Sequence, residues 1–384
     1  MKNLFIGIII LFLFSCSSNP KNTIERTQEE LLIEKPQINY KLNSLPKDIN
    51  VIYFSDLKNK KPFPDEVKCL LTNYYSFSEK YKYFPKIKFI NLNAVNPCLL
   101  VLNREAYNFI FLLKYSIENK SKDLCLNKLA SQDALLVSNF ESNFTQKNVR
   151  NFFVSRNDDK YELIRLMSSY SNNIIVIDNE VTNDKFEIGD LWERKYKNEI
   201  AEYKTFNKGK SSQEIFFNLL LLEQSLKRKR KLSRIISKDL EHKLRTRQDI
   251  DALFLSVNTQ EARNLKPALD YSYFKGMQVF LVNDWEGNFQ FFKADKDLEG
   301  VISIDIPFML PVSLPDDLKA LQNKTRGFAI GYDAFEIALL TKGARNLNKT
   351  TYKGLTGKIT FKDRSIERKS TIFKINNGIY QFLN

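Results

Sequence analysis

The stretch RQDIDALFLSVNTQEARNLKPAL, residues 247–269, contains the pattern that decides the fold. Residues 252–257, which are apolar except for Ser256, show no period-two alternation, and this is typical of a parallel strand buried on both faces. A polar pair, Asn258-Thr259, follows the run, and an apolar face at helical spacing comes next. Thr259 is expected to cap this helix, Glu261 to complement its dipole, and Pro267 to remove one backbone donor. The stretch therefore predicts a strand, a loop and a helix that leads into the next strand.

Apolar runs of the same kind recur along the chain and alternate with helical patterns. They are residues 51–56, 87–92, 134–139, 151–155, 173–178, 202–206, 278–283 and 300–306. Ser211 and Glu214 have the spacing of a capping box and predict a helix start. Beyond Leu355 the strands alternate, with a turn at Asn376-Asn377-Gly378. This order predicts an α/β architecture of mostly parallel sheets flanked by helices, in which ligands usually gather at the carboxyl ends of strands.

The chain begins MKNLFIGIIILFLFSCSSNP, which has the pattern of a lipoprotein signal peptide. Lys2 supplies positive charge, and the apolar run of residues 4–14 is shorter than the roughly 20 residues of a spanning helix. Leu13-Phe14-Ser15-Cys16 resembles a lipobox, so we expect cleavage after residue 15 and acylation of Cys16. An ordinary signal peptide with an incidental cysteine is the alternative.

Residues 16–47 are polar and predict a flexible tether that spans about 30 Å on average. Residues 48–384 are numerous enough for two lobes. The full chain has 59 Lys and Arg against 45 Asp and Glu, a formal net charge of +14. A basic surface favours polyanions, but the signal peptide argues against nucleic acid. The remaining cysteines, Cys69, Cys98 and Cys125, allow at most one internal disulfide, and buried thiols are the alternative.

The sequence offers little catalytic chemistry. It contains no P-loop, HExxH, GxSxG or CxxC pattern. His242 is the only histidine and lies in a charged amphipathic stretch, whereas a zinc site or a catalytic triad needs further partners. Asp249 and Asp251 are expected to be structural partners of Arg245 or Arg247. We therefore expect no cofactor, no metal and no enzymatic activity.

Six motifs follow one another along the chain: SLKRKRKL (225–232), RTRQDID (245–251), ARNLKPAL (262–269), LEGVISIDIPFML (298–310), GFAIGYDAFEIALL (327–340) and LTGKITFKDRSIERK (355–369). In this order they resemble the carboxyl-terminal domain of the LpoA/LppC family of lipoprotein penicillin-binding-protein activators. Phe308 stands where the family carries tryptophan. The resemblance covers roughly residues 150–384.

The resemblance implies a two-lobed fold like that of type I periplasmic binding proteins. Lobe one would comprise about 48–155 and 300–350, and lobe two about 156–299 and 351–384, with three crossings between them. Family members stimulate a class A penicillin-binding protein from the outer membrane without catalysing a reaction. The implied protein is a non-enzymatic outer-membrane lipoprotein that faces the periplasm and regulates peptidoglycan synthesis. Its implied partners are that synthase, the membrane through Cys16, and peptidoglycan.

Two other functions stay open at the level of sequence. The same fold captures amino acids and related small molecules, so a solute-binding lipoprotein is the first alternative. A hydrolase of cell-wall material that uses unidentified carboxylates is the second. No glycine occurs between Gly7 and Gly189, so the loops of lobe one in that part of the chain are not suited to cradling a ligand closely. This gap favours a cleft without a tightly bound ligand.

Two sets of residues are candidates for function. Those expected to line the cleft or contact a partner are Asn258, Thr259, Arg263, Asp284, Trp285 and Asp305. Trp285, in a polar loop, is either a lid over the lobe interface or an anchor for a partner. The basic run consists of Lys227, Arg228, Lys229, Arg230 and Lys231. It is either a solvated helix end or a contact for an acidic partner or an anionic cell-wall polymer.

Overall fold

The computed structural model describes part of the chain, and every structural statement below refers to that part. It comprises residues 45–54, 64–96, 99–101, 105–112, 133–138, 149–180, 184–207, 211–239, 241, 245–272, 277–283, 285, 295–311, 314, 318, 324–343, 347, 349–362 and 365–383. The predictions for the signal peptide, for tether residues 16–44, and for Cys98, Cys125, His242 and Asp284 lie outside the described residues. Leu45, which the tether prediction includes, is buried in a hydrophobic core, so the folded part begins before residue 48. Cys69 is described and is fully buried. Its possible partners, Cys98 and Cys125, lie outside the described residues, so the disulfide stays a prediction.

Fifteen described strands form two sheets. The first sheet contains β1 (Asp48–Tyr53), β2 (Lys86–Asn91), β3 (Tyr107–Phe111), β4 (Ala134–Ser138), β5 (Val149–Phe153), β11 (Thr351–Lys353), β12 (Lys358–Phe361) and β13 (Ser365–Lys369). The second contains β6 (Asn173–Asn179), β7 (Glu199–Phe206), β8 (Ala252–Val257), β9 (Gln278–Asn283), β10 (Ile302–Asp305), β14 (Thr371–Asn376) and β15 (Ile379–Leu383). We call the two sheets with their helices lobe one and lobe two.

The parallel strands of the two sheets follow the same order. It is β2-β1-β3-β4-β5 in lobe one and β7-β6-β8-β9-β10 in lobe two. Further strands extend each sheet: β13 pairs parallel with β5 and continues antiparallel into β12 and β11, whereas β14 and β15 continue antiparallel from β10. The predicted α/β architecture of two mostly parallel sheets is confirmed. The sequence did not predict β3, because no turn signal follows its apolar run, nor the short strand β11.

The observed lobes differ from the predicted boundaries at two places. β10 pairs with β9 and β14 in the second sheet, whereas the predicted boundary at residue 300 assigned it to lobe one. β13 pairs parallel with β5 in the first sheet, and β12 and β11 join the same sheet through β13. The prediction had assigned residues 351–384 to lobe two. The boundaries at 300 and 351 are therefore wrong for these strands. Backbone hydrogen bonding to the neighbouring strand, which spacing along the sequence does not reveal, determines the membership.

Helices cover both sheets. They are α1 (Asp65–Tyr81), α2 (Arg156–Met167), α3 (Lys185–Gly189), a π-helical turn (Asp190–Lys195), α4 (Ser212–Leu219), α5 (Leu222–Ile236), α6 (Thr259–Tyr271), a 3-10 turn (Pro307–Met309) and α7 (Arg326–Gly343). α1 and α7 cross closely, since a Cβ on Gly331 would lie 1.8 Å from the backbone oxygen of Glu66. No described helix combines the length and the apolar character needed to cross a bilayer.

The local predictions were partly right. Strand β8 and helix α6 form as expected, and Pro267 lies inside the helix. The cap of α6 is Asn258 rather than Thr259, because the Asn258 side chain accepts the Glu261 amide at 2.8 Å. The Glu261 carboxylate in turn accepts the Asn258 amide at 3.2 Å, which completes a capping box.

Two other local signals had different outcomes. Ser211 caps α4 without a side-chain hydrogen bond, so the predicted capping box with Glu214 is wrong although the helix start is right. The predicted turn between β14 and β15 is confirmed, since Asn377 and Gly378 both have positive φ, 54° and 70°. Positive φ at both central residues matches the right-handed twist of the flanking strands.

Candidate functional site at the lobe junction

Two buried ion pairs join lobe one to lobe two. Arg326, at the start of α7, places Nη2 2.6 Å from Oδ2 of Asp305 at the end of β10. Arg368, on β13, places Nη2 2.9 Å from Oδ1 of Asp159 in the first turn of α2. In both pairs lobe one supplies the arginine and lobe two the aspartate, and all four residues are buried. We call these four residues, together with Trp285, the junction clamp.

Trp285 lies between the two arginines of the clamp. The Cζ atoms of Arg326 and Arg368 each lie 5.6 Å from the ring centroid, within range of a cation–π interaction. The partly buried ring also packs against the core of lobe one and against an apolar cluster around Phe308. Trp285 therefore lies at the lobe interface, where a lid would lie. An additional role as an anchor for a partner stays a prediction.

The clamp retains hydrogen-bonding capacity that the two lobes do not use. Arg368 donates further to the backbone oxygens of Ser155 at 3.1 Å and Thr356 at 3.2 Å. Within the described part of the chain, Nε of Arg368, Nη1 of Arg326 and Oδ2 of Asp159 are buried without a hydrogen-bond partner. Burial raises the pKa of the Asp159 carboxyl, and this effect outweighs the opposing one of the Arg368 guanidinium.

Asn283, at the end of β9, links the clamp to the carboxyl edge of the second sheet. Its side-chain amide donates to Oδ2 of Asp305 at 3.2 Å. Its side-chain oxygen accepts the amide of Thr259 at 3.1 Å, and its backbone oxygen accepts Nε of Arg156 at 3.0 Å. One residue thus connects α2, α6 and the end of β10.

A buried carboxylate, Asp184, organises the rest of this edge. It lies 2.8 Å from Nη1 of Arg156 and 2.9 Å from Nζ of Lys160, and it accepts the hydroxyl of Ser256. Although burial raises the pKa of Asp184, the Arg156 and Lys160 cations and these hydrogen bonds hold it below its usual range. We call Arg156, Lys160, Asp184, Ser256 and Asn283 the edge network. Glu187 of α3 also pairs with Lys160, so the charges of the network are compensated within lobe two.

The structure brings some predicted site residues together and separates others. Asn258, Thr259 and Asp305 lie at neighbouring strand ends, and Trp285 lies beside Asp305 through their common contact with Arg326. Arg263 instead forms an ion pair with Asp295 at 2.6 Å and is 8 % exposed, so it offers little surface to a partner.

The acidic pair near β8 is structural, as expected. Both carboxylate oxygens of Asp249 accept from Arg247, at 2.8 and 2.6 Å. Asp251 accepts the backbone amides of Asn172 and Asn173, at 2.8 and 3.0 Å, rather than pairing with an arginine. These contacts tie the start of β8 to the start of β6.

Sequence reasoning missed Arg156, Asp159, Asn283, Arg326 and Arg368. Asn283 had a usable signal, because it ends an apolar strand in the same way that Asn258 does. Arg368 had none, because it lies on the strand SIERK, where every second side chain is exposed and a basic residue looks solvated. Long-range pairing with Asp159, 209 residues away, decides its burial.

A pocket of about 630 Å³ opens between the lobes, beside the Arg368–Asp159 pair. Lobe two contributes Glu162, Arg165 and Lys195 to its lining, and lobe one contributes Glu367. This lining mixes both signs of charge and does not select one class of ligand. Among the described residues, no three His, Cys, Asp or Glu side chains are grouped to hold a metal ion.

Solved structures show the class of fold. Full-length LpoA from Haemophilus influenzae superposes with a TM-score of 0.55 at 12 % identity, over 88 % of this chain and 59 % of that chain. A putative branched-chain amino acid ABC transporter from Rhodospirillum rubrum superposes with a TM-score of 0.55 at 10 % identity, over 88 % of this chain and all of that one (100 %). At such identities the likeness shows the fold alone, and it confirms the predicted periplasmic-binding-protein-like architecture.

The family follows from the sequence. The profile of the family described as LppC putative lipoprotein matches residues 184–378, just over half of the chain. The chain belongs to this family, as the motifs predicted. It spans 59 % of the length of the Haemophilus influenzae LpoA that it resembles. No curated protein matches the sequence.

Proposed function

We propose that the chain is a lipid-anchored, non-enzymatic lipoprotein of the outer membrane, which binds and activates a class A penicillin-binding protein and so regulates peptidoglycan synthesis. Membership of the LppC putative lipoprotein family is the observation that carries this proposal. The lipobox-like sequence that ends at Cys16 supports attachment to the membrane. The activating role is what the family resemblance implies for a chain with this fold.

The chemistry of the lobe junction supports a protein that binds another protein more than a receptor for a small solute. In a receptor, polar groups at the strand ends must remain available to the ligand. Here Asn283 and Asp184 use theirs on groups of the same chain. The clamp also joins the lobes through two buried ion pairs, which would have to separate if the lobes opened.

The direct test is binding between purified proteins. The full acylated chain in detergent should bind at least one class A synthase of the source organism saturably, and more weakly as ionic strength rises, because the chain is basic. A monofunctional transpeptidase from the same organism is the matched control and should not bind. Absence of binding to every class A synthase would contradict the proposal.

A solute-binding lipoprotein is the alternative that the structure favours next. Its support is the superposition on the whole Rhodospirillum rubrum chain, together with the pocket between the lobes. A ligand at 100 times its dissociation constant stabilises a fold by about 2.7 kcal/mol, which a thermal shift assay detects readily. Amino acids, peptides and muropeptides should give no shift. A reproducible, saturable rise would move the alternative into first place.

The lipid anchor has its own test. Cys16→Ala should leave the protein uncleaved or soluble, and it should abolish labelling by a fatty-acid analogue. Lys21→Ala, in the adjoining tether, is the matched control and should be labelled like wild type. A wild-type chain that never incorporates the analogue would rule out the anchor.

A further inference from the structure

Helix α5 (Leu222–Ile236) carries the densest charge in the described part of the chain. Its fifteen residues, LEQSLKRKRKLSRII, contain six cations and one acid, Glu223. Lys227 pairs with Glu223 at 2.8 Å and Lys229 with Asp239 at 3.5 Å, and both acids are exposed. The remaining four cations form no ion pair within the described residues; they are Arg228, Arg230, Lys231 and Arg234.

The same helix exposes aliphatic side chains. Only Leu222 and Ser225, in its first turn, are buried. Leu232, Ile235 and Ile236 are 49 %, 69 % and 50 % exposed. They are spaced by three and four residues, so they lie on one side of the last turns; Arg228, one turn earlier, lies on the same side, and Lys231 lies beside it. A solvated helix end accounts for the charges but not for this aliphatic row.

We propose that α5 binds the anionic phospholipid surface of the membrane to which Cys16 attaches the chain. A helix with cations beside a short aliphatic row suits the boundary between headgroups and acyl chains. The aliphatic row enters the boundary, and Arg228, Lys231 and Arg234 reach the headgroup phosphates, whereas Arg230 lies on the opposite side of the helix. An acidic protein would match the charge, but the adjacent exposed aliphatic residues favour lipid. This inference rests on the lipid anchor in the proposed function.

The anchor keeps α5 within reach of that surface. The predicted tether, residues 16–47, spans about 30 Å on average and reaches about 100 Å when fully extended. Electrostatic attraction between the cations of α5 and anionic lipid would then hold the domain against the bilayer. A zwitterionic bilayer would leave the domain free on its tether. The lipid charge therefore controls the position of the domain.

The test places a fluorescent reporter on the aliphatic row. Ile235→Trp is made in the full acylated chain, and the protein is reconstituted into vesicles of phosphatidylcholine with or without phosphatidylglycerol, with brominated acyl chains as the quencher. Phe186→Trp on α3 is the matched control. Phe186 is 85 % exposed, and the residues around it do not form a basic run. Emission of the parent protein, from Trp192 and Trp285, is subtracted.

The expected result is that position 235 loses most of its emission in vesicles with phosphatidylglycerol and keeps it in phosphatidylcholine alone. Replacing Arg228, Lys231 and Arg234 together by glutamine should restore the emission, and position 186 should not respond to any lipid. Vesicles that carry the chain on flotation, but quench 235 no more than 186, would overturn the proposal. Equal quenching without anionic lipid, or shielding of 235 only on addition of a protein partner, would overturn it as well. A chain that fails to float contradicts the anchor itself, and this inference with it.

Discussion

The two lobes share one strand order but are stabilised by different chemistry. The core of lobe one beneath α1 and α7 is rich in aromatic rings, whereas the core on the other face of its sheet is aliphatic. The ring centroid of Phe335 on α7 lies within 6.3 Å of those of Tyr74, Phe77 and Phe109. Lobe two has largely aliphatic cores on both sheet faces, and its carboxyl edge carries the edge network. An apolar core constrains mainly volume, whereas a buried ion pair constrains each partner. The family match, residues 184–378, contains Asp184, Asp305, Arg326 and Arg368 but begins after Asp159 and strand β6.

The largest loss of stability is expected from a substitution in the aromatic core of lobe one. Phe335→Ala should lower the free energy of unfolding by about 3–5 kcal/mol, because it removes a buried ring and leaves a cavity. Urea unfolding measures the loss. Tyr75→Ala is the control, since Tyr75 is largely exposed and the change should stay within about 0.5 kcal/mol. A loss below about 1 kcal/mol at position 335 would show that the lobe core can repack.

A comparable effect is expected from the junction. Asp305→Ala should lower the free energy of unfolding by about 3–5 kcal/mol, because Arg326 would remain buried without a partner. The double variant with Arg326→Ala should recover part of this loss, as urea unfolding of the full set will measure. Asp190→Ala breaks only the exposed pair with Arg194 and should cost less than about 1 kcal/mol. If Asp305→Ala and Asp190→Ala lowered the free energy of unfolding equally, the buried clamp would be contradicted.

A smaller, pH-dependent effect is expected from Asp333 on α7. Burial raises the pKa of this carboxyl to about 6, although it accepts the Leu355 and Thr356 amides. An acid whose pKa is higher in the folded state destabilises that state as pH rises from about 4 to about 6, here by at most about 3 kcal/mol. The free energy of unfolding of wild type, minus that of Asp333→Asn, should therefore fall over this window. A difference that is flat or rises with pH would contradict the raised pKa.

The smallest effect concerns Trp285. Trp285→Leu removes the two cation–π contacts with Arg326 and Arg368 and should cost about 1–2 kcal/mol. Phe186→Leu is the matched control, because Phe186 is exposed and the change should stay within about 0.5 kcal/mol. Chemical unfolding of both variants provides the comparison. An unchanged stability would favour the role of Trp285 as an anchor for a partner over the role of a lid.

Sequence predicted the parts of the fold that depend on local patterns. β6, β8 and β9 are continuous apolar runs, and each was predicted within a residue of its observed bounds. Asn258 and Thr259 both suit a helix cap, and only the geometry of the loop selects Asn258. The candidate site was predicted at the strand ends, where Asn258, Thr259 and Asp305 are found. Its partners in the clamp were missed, because Arg326 and Arg368 come from lobe one and meet lobe two only through the tertiary fold.

Activation of a class A synthase by the chain is best tested through the rate of glycan polymerisation. The full acylated chain is titrated into a purified class A synthase of the source organism with lipid-linked substrate. We expect a saturable rise in rate that weakens with salt, and no rise when a monofunctional glycosyltransferase replaces the synthase. A rate that stays unchanged for every class A synthase of the organism would show that the chain is not an activator.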